Sequence, residues 1–155
     1  MLARSSKWFK TAGIPFYSFF GLGDYSFAPY KIVWCCMSYQ PNFSVVSKVT
    51  DNLIGTKEVM PDNTIGYFSV KNKDEANYIC ALLNSEKSRK YFESRSSKSK
   101  WGLSINMVKN IPIPKFENKN KIHKRLAELS VEAHKNKEKI DEIEKEINDL
   151  AKKII

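Results

Sequence analysis

The sequence predicts an α+β body, rich in β-strand with short helices, followed by a long C-terminal helix of coiled-coil type. Three observations lead there: aromatic and β-branched runs punctuated by turns before residue 71, a helix-period segment near residue 80, and a heptad stripe over the last forty residues. The 155 residues fit one body, residues 1–116, plus an appended helix, residues 117–155.

Taken in order, Ile14–Phe20 reads as an aromatic strand closed by Gly21 and Gly23. Tyr30–Met37 and Phe43–Val49 read as strands joined by a Gln40-Pro41-Asn42 turn. A further strand is expected over Thr64–Val70, after Pro61-Asp62-Asn63. Asp74 is a candidate cap for a helix over Glu75–Leu83, whose Ala76, Ile79, Cys80 and Leu83 share one face. Glu86–Phe92 continues as a second short helix, and Ser94 to Lys100 is a small, hydroxylated, basic loop. Asn106–Val108 leads into Ile111-Pro112-Ile113-Pro114, where alternate prolines impose an extended segment.

From there Ile122, Leu126, Leu129, Ala133, Asn136, Ile140, Ile143, Ile147, Leu150 and Ile154 recur in a 4-3-4-3 rhythm, alternating as d and a of a heptad. A straight helix with that stripe is about 48 Å long and needs a partner along its length. The stripe is therefore expected to form an intermolecular or interdomain coiled coil, homodimeric or with another chain. The weighed alternative lays the helix on its own body.

Charge is unevenly placed. The net formal charge is +9; residues 1–116 carry 16 Lys/Arg against 8 Asp/Glu, and residues 117–155 carry 10 against 9. A basic body beside a nearly neutral rod favours a polyanionic partner, nucleic acid ahead of a membrane surface. The odd cysteine count (Cys35, Cys36 and Cys80) forms neither a disulfide framework nor a CxxC metal site, and implies reduced thiols in a cytoplasmic protein. No apolar run approaches the ~20 residues a bilayer requires.

Each candidate chemistry has a plainer competitor. Phe19-Phe20-Gly21-Leu22-Gly23 fits the F-x-G-x-G opening of S-adenosylmethionine sites, but Asp24 to Pro29 does not begin the helix such a site needs, so the glycines read as turn formers. His123 and His134 lie eleven residues apart, about 16 Å along a helix, too far to share a metal; both are expected on solvated or partner-facing sides. No catalytic constellation, metal site or cofactor site is assigned. The stretch Lys87–Lys100 is stronger. Lys87, Arg89, Lys90, Arg95, Lys98 and Lys100 are opposed only by Glu93 and interleaved with serines, so the cations suit phosphates and Ser96 and Ser97 are auxiliary donors. The plainer reading is a solvated helix end and loop. Arg4, Lys7, Trp8 and Lys10 make a weaker second cluster.

The runs GLGDYSFAPYKIVW (Gly21–Trp34), DEANYICALLNS (Asp74–Ser85) and NIPIPKF (Asn110–Phe116), with the closing helix, resemble the C-terminal target-recognition domain of adenine-specific DNA methyltransferases in restriction-modification systems. The latter half is also similar to target-recognition domains of type I specificity subunits. The resemblance implies a bacterial-type defence role in which residues 1–116 recognise duplex DNA. A separate catalytic domain or subunit would bind S-adenosylmethionine and flip the adenine. On this reading the chain is not itself an enzyme. The alternative is an assembly module acting through its helix, without direct DNA contact.

Overall fold

The computed structural model describes residues 22–38, 40–96 and 101–155, the last span with Trp101 in its backbone only. The segment Ile14–Phe20 expected as a strand, the Arg4–Lys10 cluster and most of the F-x-G-x-G motif lie outside these residues. The architecture is α+β. A 3-10 turn (Asp24–Phe27) precedes β1 (Tyr30–Cys35), β2 (Met37–Ser38), β3 (Phe43–Val46), β4 (Lys48–Asp51), β5 (Gly55–Glu58) and β6 (Ile65–Val70). Helices α1 (Lys73–Asn84) and α2 (Glu86–Glu93), strand β7 (Trp101–Gly102), α3 (Ile105–Lys109), α4 (Lys121–Lys135) and α5 (Ile140–Ala151) follow.

β1 is the centre of an antiparallel sheet ordered β3-β1-β6. Ile32 faces Val45 and Phe68 across the sheet, and Trp34 faces Phe43 and Gly66. One face of the sheet is closed by Ala76, Cys80 and Leu83 of α1, Phe92 of α2, and Leu103, Val108 and Ile111 beyond them. Trp34 is the anchor: 2% exposed, it donates its indole N–H to the Leu103 carbonyl at 2.9 Å, so a polar atom enters the core already satisfied. The close approach of the indole explains the glycine opposite it, because a Cβ at Gly66 would stand 2.5 Å from the ring.

Several expected elements form within a residue or two, including the helices near residues 75–83 and 86–92 and the strand near 64–70. Two local readings change. The cap of α1 is Asn72, not Asp74: the Asn72 side-chain oxygen accepts from the N–H groups of Asp74 and Glu75 at 2.8 and 3.3 Å. Strand Phe43–Val49 ends as a sheet strand at Val46, and the chain leaves Ser47 in a separate β4–β5 ribbon.

The C-terminal region departs furthest. In place of one long coiled-coil helix, α4 spans 15 residues and stops at Asn136, whose backbone (φ −122°, ψ 88°) is not helical. A 3-10 turn over Lys137–Lys139 then reverses the chain into α5. Arg125, near the start of α4, forms a two-point bond to Glu146 of α5 at 2.7 and 3.0 Å. In a straight helix those residues would stand about 31 Å apart, so α5 runs back along α4.

The stripe is divided by this turn and covered from within the chain. Leu126, Leu129, Ile143 and Ile147 are buried with Tyr78, Ala81 and Leu82, the second face of α1. Ile122, Ala133, Leu150 and Ile154 pack against that cluster, Ile140 is half-buried and Asn136 is exposed. The cause lies in α1, which is apolar on two sides and needs cover on both; five consecutive polar residues from Lys135 to Lys139 offer the place to turn. His123 is likewise buried, its ring tilted against that of Tyr78 at 4.5 Å, and its Nδ1 accepts from the Glu117 N–H at 3.1 Å. His134 is exposed; its Nε2 accepts from the Val45 N–H at 3.3 Å and so closes part of the β3 edge. Among the described residues no helix is long and apolar enough to cross a membrane.

Candidate nucleic-acid interface

The basic stretch begins on α2, whose position is fixed from beneath. Ser85 caps it, accepting from the Ser88 N–H at 3.4 Å, and the Ser85 and Ser88 hydroxyls both donate to the Leu82 carbonyl, at 2.7 and 2.6 Å. Phe92, fully buried, stacks on Phe43 at 5.6 Å. With Ser88 and Phe92 turned inward, Lys87 and Lys90 are exposed and Arg89 is half-buried. This spacing converts a run of charges into a face.

The cations are not equally available. Among the described residues, Lys87 and Arg89 have no ion pair. Lys90 meets Glu86 at 2.6 Å, which lowers the Glu86 carboxyl and raises the Lys90 ammonium from their ordinary values through the hydrogen bond and the opposite charge. Both side chains are well exposed, so the pair is screened and yields readily to a phosphate. Arg95 lies over the Tyr91 ring at 3.9 Å and donates to Ser94 Oγ at 3.0 Å, which holds its guanidinium against the end of α2. The Ser96 hydroxyl points to Met107 Sδ at 3.8 Å, toward the body. Ser97, Lys98 and Lys100 lie outside the described residues.

The chain reversal adds a cation that no linear reading places here. Asn148 of α5 accepts from the Glu86 N–H at 2.7 Å, joining the end of α5 to the start of α2. Glu86, Lys87, Lys90, Asn148, Ala151 and Lys152 then line one depression of about 260 Å³. Lys152 is near enough to Glu86 to help hold its carboxyl low, while donating to Asp149 at 3.3 Å. The surface therefore offers Lys87, Arg89, Lys90 and Lys152, with Glu86 paired to Lys90 and Asp149 to Lys152 in exposed, screened contacts. Cations so arranged bind phosphate oxygens without reading sequence. Among the described residues no group of three or more His, Cys, Asp or Glu side chains is placed to hold a metal.

A second exposed feature is the β4–β5 ribbon, paired Lys48 with Glu58 through Asp51 with Gly55. Every residue from Lys48 to Lys57 is exposed, and Leu53 at its tip is 94% so. The sequence signal for it was the turn chemistry of Asp51-Asn52 and Gly55, hidden by the apparent continuity of Phe43–Val49.

No family model matches the chain. It is 32% identical over 91 residues to the type II methyltransferase M.NspV of Nostoc sp. (strain ATCC 29411 / PCC 7524), a match covering 59% of this chain. The matched stretch spans 18% of that relative's length, so the similarity is distant and partial.

Proposed function

We propose that this chain is a non-catalytic duplex-DNA recognition module of a restriction-modification adenine DNA methyltransferase, working in the cytoplasm beside a separate catalytic domain or subunit. The observation that carries the reading is the 91-residue similarity to a small part of a type II methyltransferase. It agrees with the resemblance of Gly21–Trp34, Asp74–Ser85 and Asn110–Phe116 to target-recognition domains. The exposed cations of α2 and the end of α5 supply a surface of matching charge. In this mechanism Lys87, Arg89, Lys90 and Lys152 anchor phosphates and fix orientation, with Arg95, Lys98 and Lys100 extending the contact. Polar groups nearby then meet base edges. Adenine flipping and methyl transfer belong to the partner, which would hold S-adenosylmethionine.

Fluorescence anisotropy with random duplex DNA tests this reading. The four phosphates held by Lys87, Arg89, Lys90 and Lys152 alone give a slope of about −3.6 in log affinity against log salt, a roughly 10²-fold loss between 50 and 200 mM, and contacts by Arg95, Lys98 and Lys100 steepen it. The Lys87→Ala/Lys90→Ala/Lys152→Ala variant should bind more weakly, with the slope shallower by about 3. Salt-independent binding, or no binding at 50 mM, would refute the reading and favour an assembly role.

A further inference from the structure

The β4–β5 ribbon has an architecture that the body does not require. Its residues 48–57 are all exposed, so neither face of the ribbon is buried against the core. It is nevertheless held together by its own bonds. Asp51 Oδ1 accepts from the N–H groups of Leu53 and Ile54 at 2.8 and 3.1 Å, and Gly55 takes the positive φ of 70° that closes the turn. The Thr50 and Thr56 hydroxyls meet across the strands at 2.9 Å, and Lys48 pairs with Glu58 at 3.4 Å at the root. An isolated hairpin is at best marginally stable in water; these bonds fix its shape before any partner arrives. What that shape displays is Leu53 and Ile54, 94% and 63% exposed, at the farthest point of the turn.

The geometry points to this ribbon as a groove-reading element: we infer that Leu53 and Ile54 enter the major groove of duplex DNA and select thymine through its C5 methyl group. The inference rests on the DNA-recognition reading above and assigns it a specificity element. Size supports it. Four residues per strand extend about 13 Å, and the major groove is about 12 Å wide and 8.5 Å deep, enough for one two-stranded ribbon. The ribbon carries no net charge: Lys48 and Lys57 balance Asp51 and Glu58, with Glu58 paired to Lys48 at the root and the Asp51 carboxylate accepting from the turn amides. Lys57, without an ion pair among the described residues, stays available to a phosphate at the groove rim. The chemistry of the tip then names its target, because the thymine methyl is the one apolar group that a base pair presents in the major groove.

The test uses the duplex that the wild-type chain enriches from a random library, synthesised with thymine or with uracil. Wild type should bind the uracil duplex more weakly by roughly fourfold for each methyl contacted. Leu53→Ser/Ile54→Ser should bind the thymine duplex with that same loss, show no further loss on uracil, and keep the wild-type salt slope. Lys57→Ala, on the same ribbon, should lose about one unit of salt slope and retain the thymine–uracil difference. Circular dichroism establishes that each variant is folded. A Leu53→Ser/Ile54→Ser variant that binds like wild type would overturn the assignment and give the tip to a protein contact. A variant that loses affinity yet still distinguishes thymine from uracil would overturn it too. Failure of the wild type to enrich any duplex is a separate result: it removes the recognition reading itself, and this inference with it.

Discussion

Leu129→Ala is the substitution that separates a helix covered by its own body from a helix awaiting a partner. Leu129 is 0% exposed and sits in the cluster formed by Tyr78, Ala81 and Leu82 of α1 with Ile143 and Ile147 of α5. Truncation removes three buried carbons and leaves a cavity that two helices on either side hold open. Buried leucines cut to alanine lose about 2.5–5 kcal/mol, and the complete burial here places the expected loss near 3 kcal/mol. For a chain of this length that corresponds to a fall in Tm of roughly 6–12 °C. Urea unfolding followed by circular dichroism, repeated over a hundredfold range of protein concentration, gives the answer. The expected result is a lower midpoint with an unchanged m-value and no dependence on concentration. A loss below about 1 kcal/mol, or a midpoint that rises with concentration, would refute the intramolecular packing.

Four further outcomes follow from the same geometry. Asn136→Leu should change stability by less than about 0.5 kcal/mol and leave the chain's association state unchanged by sedimentation, because Asn136 is exposed at the turn between α4 and α5. Gly66→Ala should cost about 1–3 kcal/mol in urea unfolding, since the new methyl meets the Trp34 indole. Asn72→Ala should cost about 1 kcal/mol, and Asp74→Ala clearly less, by the same assay. Burial pushes the Cys80 thiol up to about 12 and the Tyr78 hydroxyl also up to about 12, from ordinary values near 9 and 10. Folding therefore holds protons that the unfolded chain releases: the contribution is intact below pH 9 and is lost as pH rises toward 12. Cys80→Ala should flatten the first part of that decline, and a thiol reagent at pH 8 should label exposed Cys35 well before Cys80.

What the sequence made legible was local. Aromatic and β-branched composition with turn chemistry marks β1, β3 and β6, and helix periodicity marks α1, with α2 continuing from it, because those signals lie within a few residues of one another. The reversal at Asn136 was not legible for a specific reason. The spacing Ala133, Asn136, Ile140 keeps the heptad in register across the turn, so a folded pair and a straight rod share one pattern. The deciding fact is the second apolar face of α1, Tyr78, Ala81 and Leu82, which lies more than fifty residues before the turn in the chain. The burial of His123 is hidden for the same reason, since its ring partner Tyr78 is remote in the chain. In the candidate interface, Lys87, Arg89 and Lys90 were readable from a helical run, whereas Lys152 joins them only through the folding back of α5. The β4–β5 ribbon had a signal in Asp51-Asn52 and Gly55, masked by the β-rich composition of the residues before it.

The most direct test of duplex recognition is enrichment from a random-duplex library by the purified chain at 150 mM salt, followed by competition between the enriched duplex and the starting pool. A recognition module should bind a defined sequence at least about 10³-fold more tightly than the pool. Salt-sensitive binding that enriches no sequence would contradict it, and would leave a basic surface that holds DNA without reading it.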